Sequence, residues 1–158
     1  EKHEEPNHSA KMRQANPYNC FRTTNFMYHR SVIERVPFDE RILTYAFEDV
    51  MFGKDLYRSS IPVLHIDNPV TYTRFEDSIR FLKKVEESLI TLHTFEKEFK
   101  DFSTILHYIY RLRSMRLLWV VKLFHRLTSS LQRRNLVGNN PSLLIFKLYK
   151  LGHYACLK

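Results

Sequence analysis

The segment "IPVLHID", residues 61–67, is a nearly continuous apolar run that is followed directly by Asn68 and Pro69. A short run of this kind, closed by turn-forming residues, predicts a buried strand that ends at a loop. Earlier in the chain, "CFRTTNFMYHR", residues 20–30, has the β-branched and aromatic content of a second strand. Two strands do not form a stable sheet by themselves. The sequence therefore predicts an α/β domain whose remaining strands lie upstream of this chain.

Helices are predicted between and after these two segments. Ser31 and Glu34 have the spacing of a capping box, so a short helix is expected to begin at Ser31. Residues 76–99 carry apolar side chains at spacings of three and four, which is typical of an amphipathic helix. The other predicted helices span residues 48–58, residues 103–133, and a last segment that begins at Pro141 with Asn140 as its N-cap.

Charge also divides the chain, whose formal net charge is +8. Residues 1–101 hold 15 basic and 17 acidic residues, whereas residues 102–158 hold 10 basic residues and no acidic residue. This asymmetry predicts an anionic partner for the second half, either a membrane surface or a nucleic acid, and the alternative is a basic solvated face. We predict an α/β part over residues 1–100 and a basic helical extension over residues 101–158.

Residue counts exclude several classes of site. Three glycines do not provide a glycine-rich phosphate cradle. Cys20 and Cys156 lack the spacing of metal ligands, and free thiols in a reducing cytosol are expected, with a disulfide between them as the alternative. The longest apolar run of the basic half, "LLWVV" at residues 117–121, is five residues long. A membrane-spanning helix needs about 20 apolar residues, so this run is not expected to cross a bilayer.

Two adjacent carboxylates, Glu48 and Asp49, begin the predicted helix of the segment "AFEDVMFGKDL". Acidic residues are favoured in a first helical turn because they face the positive end of the helix dipole. The same position also holds a carboxylate rigidly at the edge of a cleft, where a general base is needed. The local sequence is compatible with both interpretations.

A longer pattern surrounds these carboxylates. The segment "TTNFMYHRSVIERVPFDERILTYAFEDVMFGKDLYRSSIPVLHIDNPV" resembles the C-terminal half of the catalytic domain of glycosyltransferase family 2, particularly a bacterial subgroup. The resemblance covers residues 16 to about 95. It implies a GT-A fold, a nucleotide-diphosphate sugar as donor, and a Mg²⁺ or Mn²⁺ ion held by an Asp-x-Asp motif. No Asp-x-Asp occurs in the chain, so the donor-binding half is expected to be missing and the chain to be inactive alone.

The resemblance also implies roles for individual residues. Asp49 corresponds to the general base of inverting members, which takes the proton from the acceptor hydroxyl, and Glu48 would orient the acceptor. His65 would approach the metal or diphosphate, with a hydrogen-bonded core histidine as the alternative. Asn25, Phe26 and Phe47 would contact the acceptor, although backbone capping is an equal alternative for Asn25. The implied reaction extends a glycan or lipid-linked acceptor in the synthesis of cell-surface polysaccharide.

The basic half predicts a membrane contact. The residue types that suit an anionic headgroup boundary recur along the predicted helix: Arg111, Arg113, Arg116, Trp119, Lys122 and Arg126. The alternative is a helical appendage that packs on the enzyme core or on a dimer partner. A cytoplasmic protein at the inner face of the cell membrane is expected, with no nucleic-acid partner, since no RNA-binding motif is present. The competing function is a non-enzymatic basic module.

Overall fold

This computed structural model describes residues 9–42, 47–68, 70 and 76–157, and within them every regular element is an α-helix. Five of the described helices begin at a residue whose side chain accepts a hydrogen bond from the first turn. Ser9, Asp77, Ser103 and Ser142, for example, accept hydrogen bonds at the starts of four helices. The eight described helices are α1 (Ala10–Gln14), α2 (Arg30–Arg35), α3 (Glu48–Arg58), α4 (Ser78–Thr94), α5 (Glu96–Phe99), α6 (Thr104–Ser114), α7 (Leu118–Val137) and α8 (Leu143–Cys156).

The predicted α/β class is wrong, since the described residues contain no β-strand. Residues 61–68 have no ladder partner in the described part of the chain, and side chains of α1 occupy backbone groups that a neighbouring strand would pair. Arg13 donates to the carbonyl oxygen of Ile66 at 3.0 Å, and Gln14 donates to that of Val63 at 3.1 Å. The Gln14 amide oxygen accepts from the backbone N–H of His65 at 2.7 Å. The interpretation of these segments as half of a GT-A domain is therefore overturned.

The second predicted strand, residues 20–30, is also wrong, because residues 20–29 lie in turns and irregular backbone and Arg30 begins α2. Their aromatic content serves a compact cluster instead. Phe21 lies with its ring centroid 5.4 Å from those of Phe26 and Phe52, and Phe38 stacks on Phe52 at 4.3 Å. Aromatic residues thus fill a core between helices in a segment where their density predicted a sheet.

The helix predictions fare better, with corrections at the boundaries. The helix predicted over residues 48–58 is confirmed as α3. Residues 103–133, predicted as one helix, form α6 and α7, because Arg116 adopts a left-handed φ of 56°. The N–H of Leu117 then bonds to the carbonyl of Leu112, which ends α6 as a Schellman turn does. The last helix begins at Leu143 with Ser142 as its cap, two residues after the predicted start.

Contacts divide the chain into two compact units, Glu1–Thr73 and Arg74–Lys158. The predicted boundary between residues 100 and 101 was drawn on charge and function, and it stays a prediction. The core of the first unit consists of Phe21, Val36, Phe52 and Leu56.

The second unit is a helical assembly in which α4, α7 and α8 share a core of Leu82, Leu136 and Tyr149. Two similar polar clusters tie its helices together. In the first, Tyr149 of α8 donates to Glu86 of α4 at 2.6 Å, and Arg133 of α7 binds both residues. In the second, the hydroxyl group of Tyr154 in α8 donates to Glu96 of α5 at 2.6 Å, and Arg113 of α6 pairs with the same carboxylate. Each cluster therefore joins three helices.

The second cluster makes the free energy of unfolding depend on pH through Glu96. Burial raises the pKa of Glu96, but hydrogen bonds from Arg113, Tyr154 and Tyr110 outweigh it and bring the pKa down to about 2. Because the folded pKa is depressed, the contribution is present above the unfolded pKa of about 4.5 and is lost as pH falls toward about 2. We expect Glu96→Gln to lower the free energy of unfolding by about 2 kcal/mol at neutral pH. Urea titrations followed by circular dichroism should show that this difference shrinks with acid; a difference that is constant down to about pH 2 would contradict it.

Candidate functional site

Glu48 and Asp49 occupy the first turn of α3, as the sequence predicts. Phe47 precedes them with a left-handed φ of 74° and makes no side-chain cap. Asp49 accepts from the backbone N–H of Val50 at 2.8 Å, and its other oxygen lies 3.7 Å from Nε of Arg22. The Oε2 atom of Glu48 is buried, and no described residue hydrogen-bonds to it. Asp49 is thus held in place by its own helix and by one arginine.

His65 is held through both ring nitrogens. Arg13 donates from Nε to Nδ1 of His65 at 3.2 Å, and Nε2 lies 2.9 Å from the carbonyl oxygen of Pro17. Because an arginine N–H is only a donor, Nδ1 accepts and Nε2 carries the proton. A metal ion needs a free imidazole lone pair, and this arrangement leaves none. Among the described residues, no group of three or more metal-ligating side chains is present.

The other predicted acceptor contacts serve the packing of the first unit. Asn25 donates from its side-chain amide to the carbonyl oxygen of Asn68 at 2.9 Å. Phe26 stacks on Tyr28 with ring centroids 5.3 Å apart. In the described part of the chain, Asn25 and His65 hydrogen-bond to groups other than Asp49. The acceptor and diphosphate roles stay predictions, and these contacts of Asn25, Phe26 and His65 are structural.

In the second unit, α7 presents two rows of apolar side chains to solvent. One row repeats every four residues through Trp119, Leu123, Leu127 and Leu131, and Val120 and Phe124 form the adjacent row. Trp119 is 63%, Leu127 74% and Leu131 68% exposed. At about 3.6 residues per turn, both rows lie on the face opposite the buried positions. We call these six residues the α7 stripe. The buried positions of α7 are His125, Gln132 and Leu136.

Basic side chains border the α7 stripe. Lys122 and Arg126 are spaced by four residues and therefore follow one of its edges. Arg111 is exposed on α6, and Arg116 lies at the left-handed turn between α6 and α7. Arg113, in contrast, is committed to Glu96, whose hydrogen bond and charge raise its pKa further. Of the predicted membrane-surface residues, Arg113 is thus already paired with a carboxylate of the second unit.

Sequence reasoning missed three features of the second unit. Leu131 continues the exposed row by one more turn, which the four-residue spacing from Leu127 could have indicated. His125 is only 7% exposed, whereas its position in a basic, apolar helix gave no sign that it faces the core. The start of α8 adds exposed leucines that the prediction also omitted, namely Leu143, Leu144 and Leu148.

Comparison with known proteins finds no relative of the chain. No family model, curated protein or solved structure matches the chain. The absence of strands in the described residues contradicts the resemblance to glycosyltransferase family 2 directly. The resemblance is therefore a misidentification. None of the described helices is long and apolar enough to cross a bilayer.

Proposed function

We propose that residues 74–158 form a peripheral module that binds an anionic membrane surface through α7. The observation that carries the proposal is the α7 stripe, because six exposed apolar side chains lie on one face of a helix whose opposite face is buried. Exposed apolar surface of this extent is characteristic of an interaction site. Trp119 has the amphipathic ring that settles at the headgroup boundary, and Lys122 and Arg126 border the face that would enter it.

Charge selects an anionic lipid surface over another apolar partner. The segment from residue 102 to the end holds 10 basic residues and no acid. A basic residue near an anionic bilayer contributes about 1 kcal/mol. Since insertion of the stripe contributes apolar burial as well, the two terms act on the same face of α7.

The test is sedimentation with vesicles of phosphatidylcholine, with and without phosphatidylglycerol. We expect binding only when the anionic lipid is present, and weaker binding as salt rises from about 0.1 M to about 0.5 M, because screening shortens the reach of surface charge. Absence of binding to anionic vesicles at low salt would rule the proposal out. A nucleic-acid binder would instead retain RNA or DNA with a steep salt dependence and ignore the vesicles.

A charge variant sharpens the same test. Replacing Lys122, Arg126 and Arg134 with glutamine removes three positive charges from α7, and we expect about a hundredfold weaker vesicle binding. The matched control replaces Lys11, Arg30 and Arg58 of the first unit with glutamine, which changes the net charge equally. If both variants bind with the same reduced affinity, net charge rather than the face of α7 governs binding.

Sugar transfer, which the resemblance implied, stays a prediction that no comparison now supports. Two concave surfaces of about 460 and 390 Å³ lie in the second unit, and neither is lined by Asp49 or His65. The donor, the acceptor and the divalent metal have no described site here. The membrane module is therefore the function that the geometry supports best.

A further inference from the structure

The face of α7 opposite the stripe contains a buried titratable side chain, His125. Its ring lies edge-on to Tyr149, with centroids 5.3 Å apart, and packs directly over Gly152 of α8. A Cβ atom added to Gly152 would lie 2.6 Å from Cγ and Nδ1 of this ring. Nδ1 is buried, and no described residue hydrogen-bonds to it. The contact between α7 and α8 is therefore closed around a neutral imidazole.

Among the described residues, no carboxylate acts on His125 to stabilise a positive charge. From α8, His153 lies 6.1 Å away between ring centroids, and Tyr149 is the other titratable neighbour. From α4, Glu86 is already bound by Tyr149 and by Arg133 of α7. Within α7, Gln132 is the polar neighbour, and no charged group of α6 acts on the ring within the described part of the chain.

Protonation would therefore oppose the packing of α7 on α8. An imidazolium donates from both nitrogens, but Nδ1 is buried against Gly152, and Gln132, the polar side chain that acts on the ring, is neutral and does not offset the charge. An unpaired buried charge costs far more than a neutral group. Burial and then the charge of His153 lower the pKa of His125, against the effect of Gln132, and burial lowers the pKa of His153. Because the folded pKa is depressed, stability is full above the unfolded pKa of about 6.5 and falls below it.

We infer that His125 makes membrane binding by the α7 stripe responsive to acid, since its protonation loosens α7 from α8. The inference rests on the proposed function. A loosened α7 exposes the apolar side of its core contact, including Leu136, in addition to the stripe. More apolar area can then enter the interface, so the bound state gains affinity as the proton is taken up.

The experiment measures partition of the full chain onto phosphatidylglycerol vesicles at about pH 7.5 and about pH 5, on either side of the ordinary histidine pKa. We expect about tenfold stronger binding in acid, because burial against α8 holds the pKa of His125 below its ordinary value and release of α7 removes that constraint. His125→Gln should reduce this gain to less than about twofold. His107→Gln, which removes an exposed histidine of α6, should keep it. Equal gains in the two variants would overturn the inference.

A second pair of measurements guards against a His125→Gln variant that fails to fold. Hydrogen exchange of the wild-type amides around Gly152 should speed up between about pH 7.5 and about pH 5, after correction for intrinsic rates, by about tenfold. Gly152→Ala should displace the ring and raise vesicle binding at about pH 7.5 toward the acid value. If hydrogen exchange stays constant between the two pH values, protonation of His125 does not loosen α7 from α8, and the inference is overturned. The inference is also overturned if the Gly152→Ala chain is loosened but binds vesicles no better than the wild type. If the wild type never binds vesicles but its hydrogen exchange speeds up in acid, the proposed membrane function is overturned, and with it the acid-responsive binding.

Discussion

Replacing Leu127 and Leu131 with glutamate is expected to abolish binding to anionic vesicles. Both side chains are mostly exposed, at 74% and 68%, so their replacement leaves the core of the second unit intact. Glutamate is also a good helix former, and α7 should persist. The variant loses the burial of two leucines and adds two charges that anionic lipid repels. These terms together amount to about 5 kcal/mol, a loss of affinity of more than about a thousandfold.

The control is the same chemical change at two exposed apolar positions of the first unit. Met27 and Leu64 are 96% and 78% exposed, and their replacement with glutamate changes the net charge equally. We expect this control to lose only the part of binding that depends on net charge. A different outcome is an oligomer of the wild type that the Leu127 and Leu131 variant does not form, although the variant still sediments with vesicles. In that case the α7 stripe is an interface between copies, and the membrane proposal is wrong. Sedimentation equilibrium gives the second measurement.

The failure of the strand predictions has a physical cause. Whether residues 61–67 enter a sheet depends on what pairs with their backbone, and that partner is distant in sequence. Here the partners are the side chains of Arg13 and Gln14, about fifty positions earlier in the chain. Apolar content measures the tendency of a segment to be covered, whereas the identity of the covering element is not a local property.

Helix starts, in contrast, are encoded within a few residues. Asp77 accepts from the N–H groups of Ile79 and Arg80, and Ser103 accepts from that of Leu106, so local capping chemistry suffices to place α4 and α6. The turn between α6 and α7 lacked such a signal, because Arg116 occupies a left-handed position where glycine is usual. A break at a non-glycine residue is set by the packing on either side of it.

The candidate surface was predictable in part. Trp119, Lys122 and Arg126 were identified by residue type, and the structure places all three on α7. Which face of α7 points outward could not be read from composition, since the buried face holds His125 and Gln132 and the exposed face holds leucines. His125 is inside because its ring packs against Tyr149 and His153 of α8 and over Gly152, which has no side chain to exclude it. Gln132 donates to Thr128 of its own helix.

In the first unit, we expect Gly53→Ala to have a large effect on stability. Gly53 lies inside α3, where alanine should stabilise the helix by up to about 1 kcal/mol on propensity alone. The structure predicts the opposite sign. A Cβ atom at this position would lie 2.3 Å from the backbone carbonyl oxygen of Tyr18 and 3.3 Å from Cβ of Phe21. Backbone atoms cannot rotate away, so either α3 or the turn at Tyr18 must shift and open the cluster of Phe21 and Phe52.

The expected loss is about 3 kcal/mol in the free energy of unfolding of the first unit, at the upper end for overpacking. Urea titration followed by circular dichroism measures the stability, and hydrogen exchange of the α3 amides assigns the loss to this unit. Ser59→Ala, just beyond the C-terminus of α3, is the matched control, because it also places alanine near this helix but adds no atom against Tyr18. A Gly53→Ala chain as stable as the wild type, or more stable, would mean that α3 does not pack on the backbone of Tyr18, and the arrangement of the first unit would have to be redrawn.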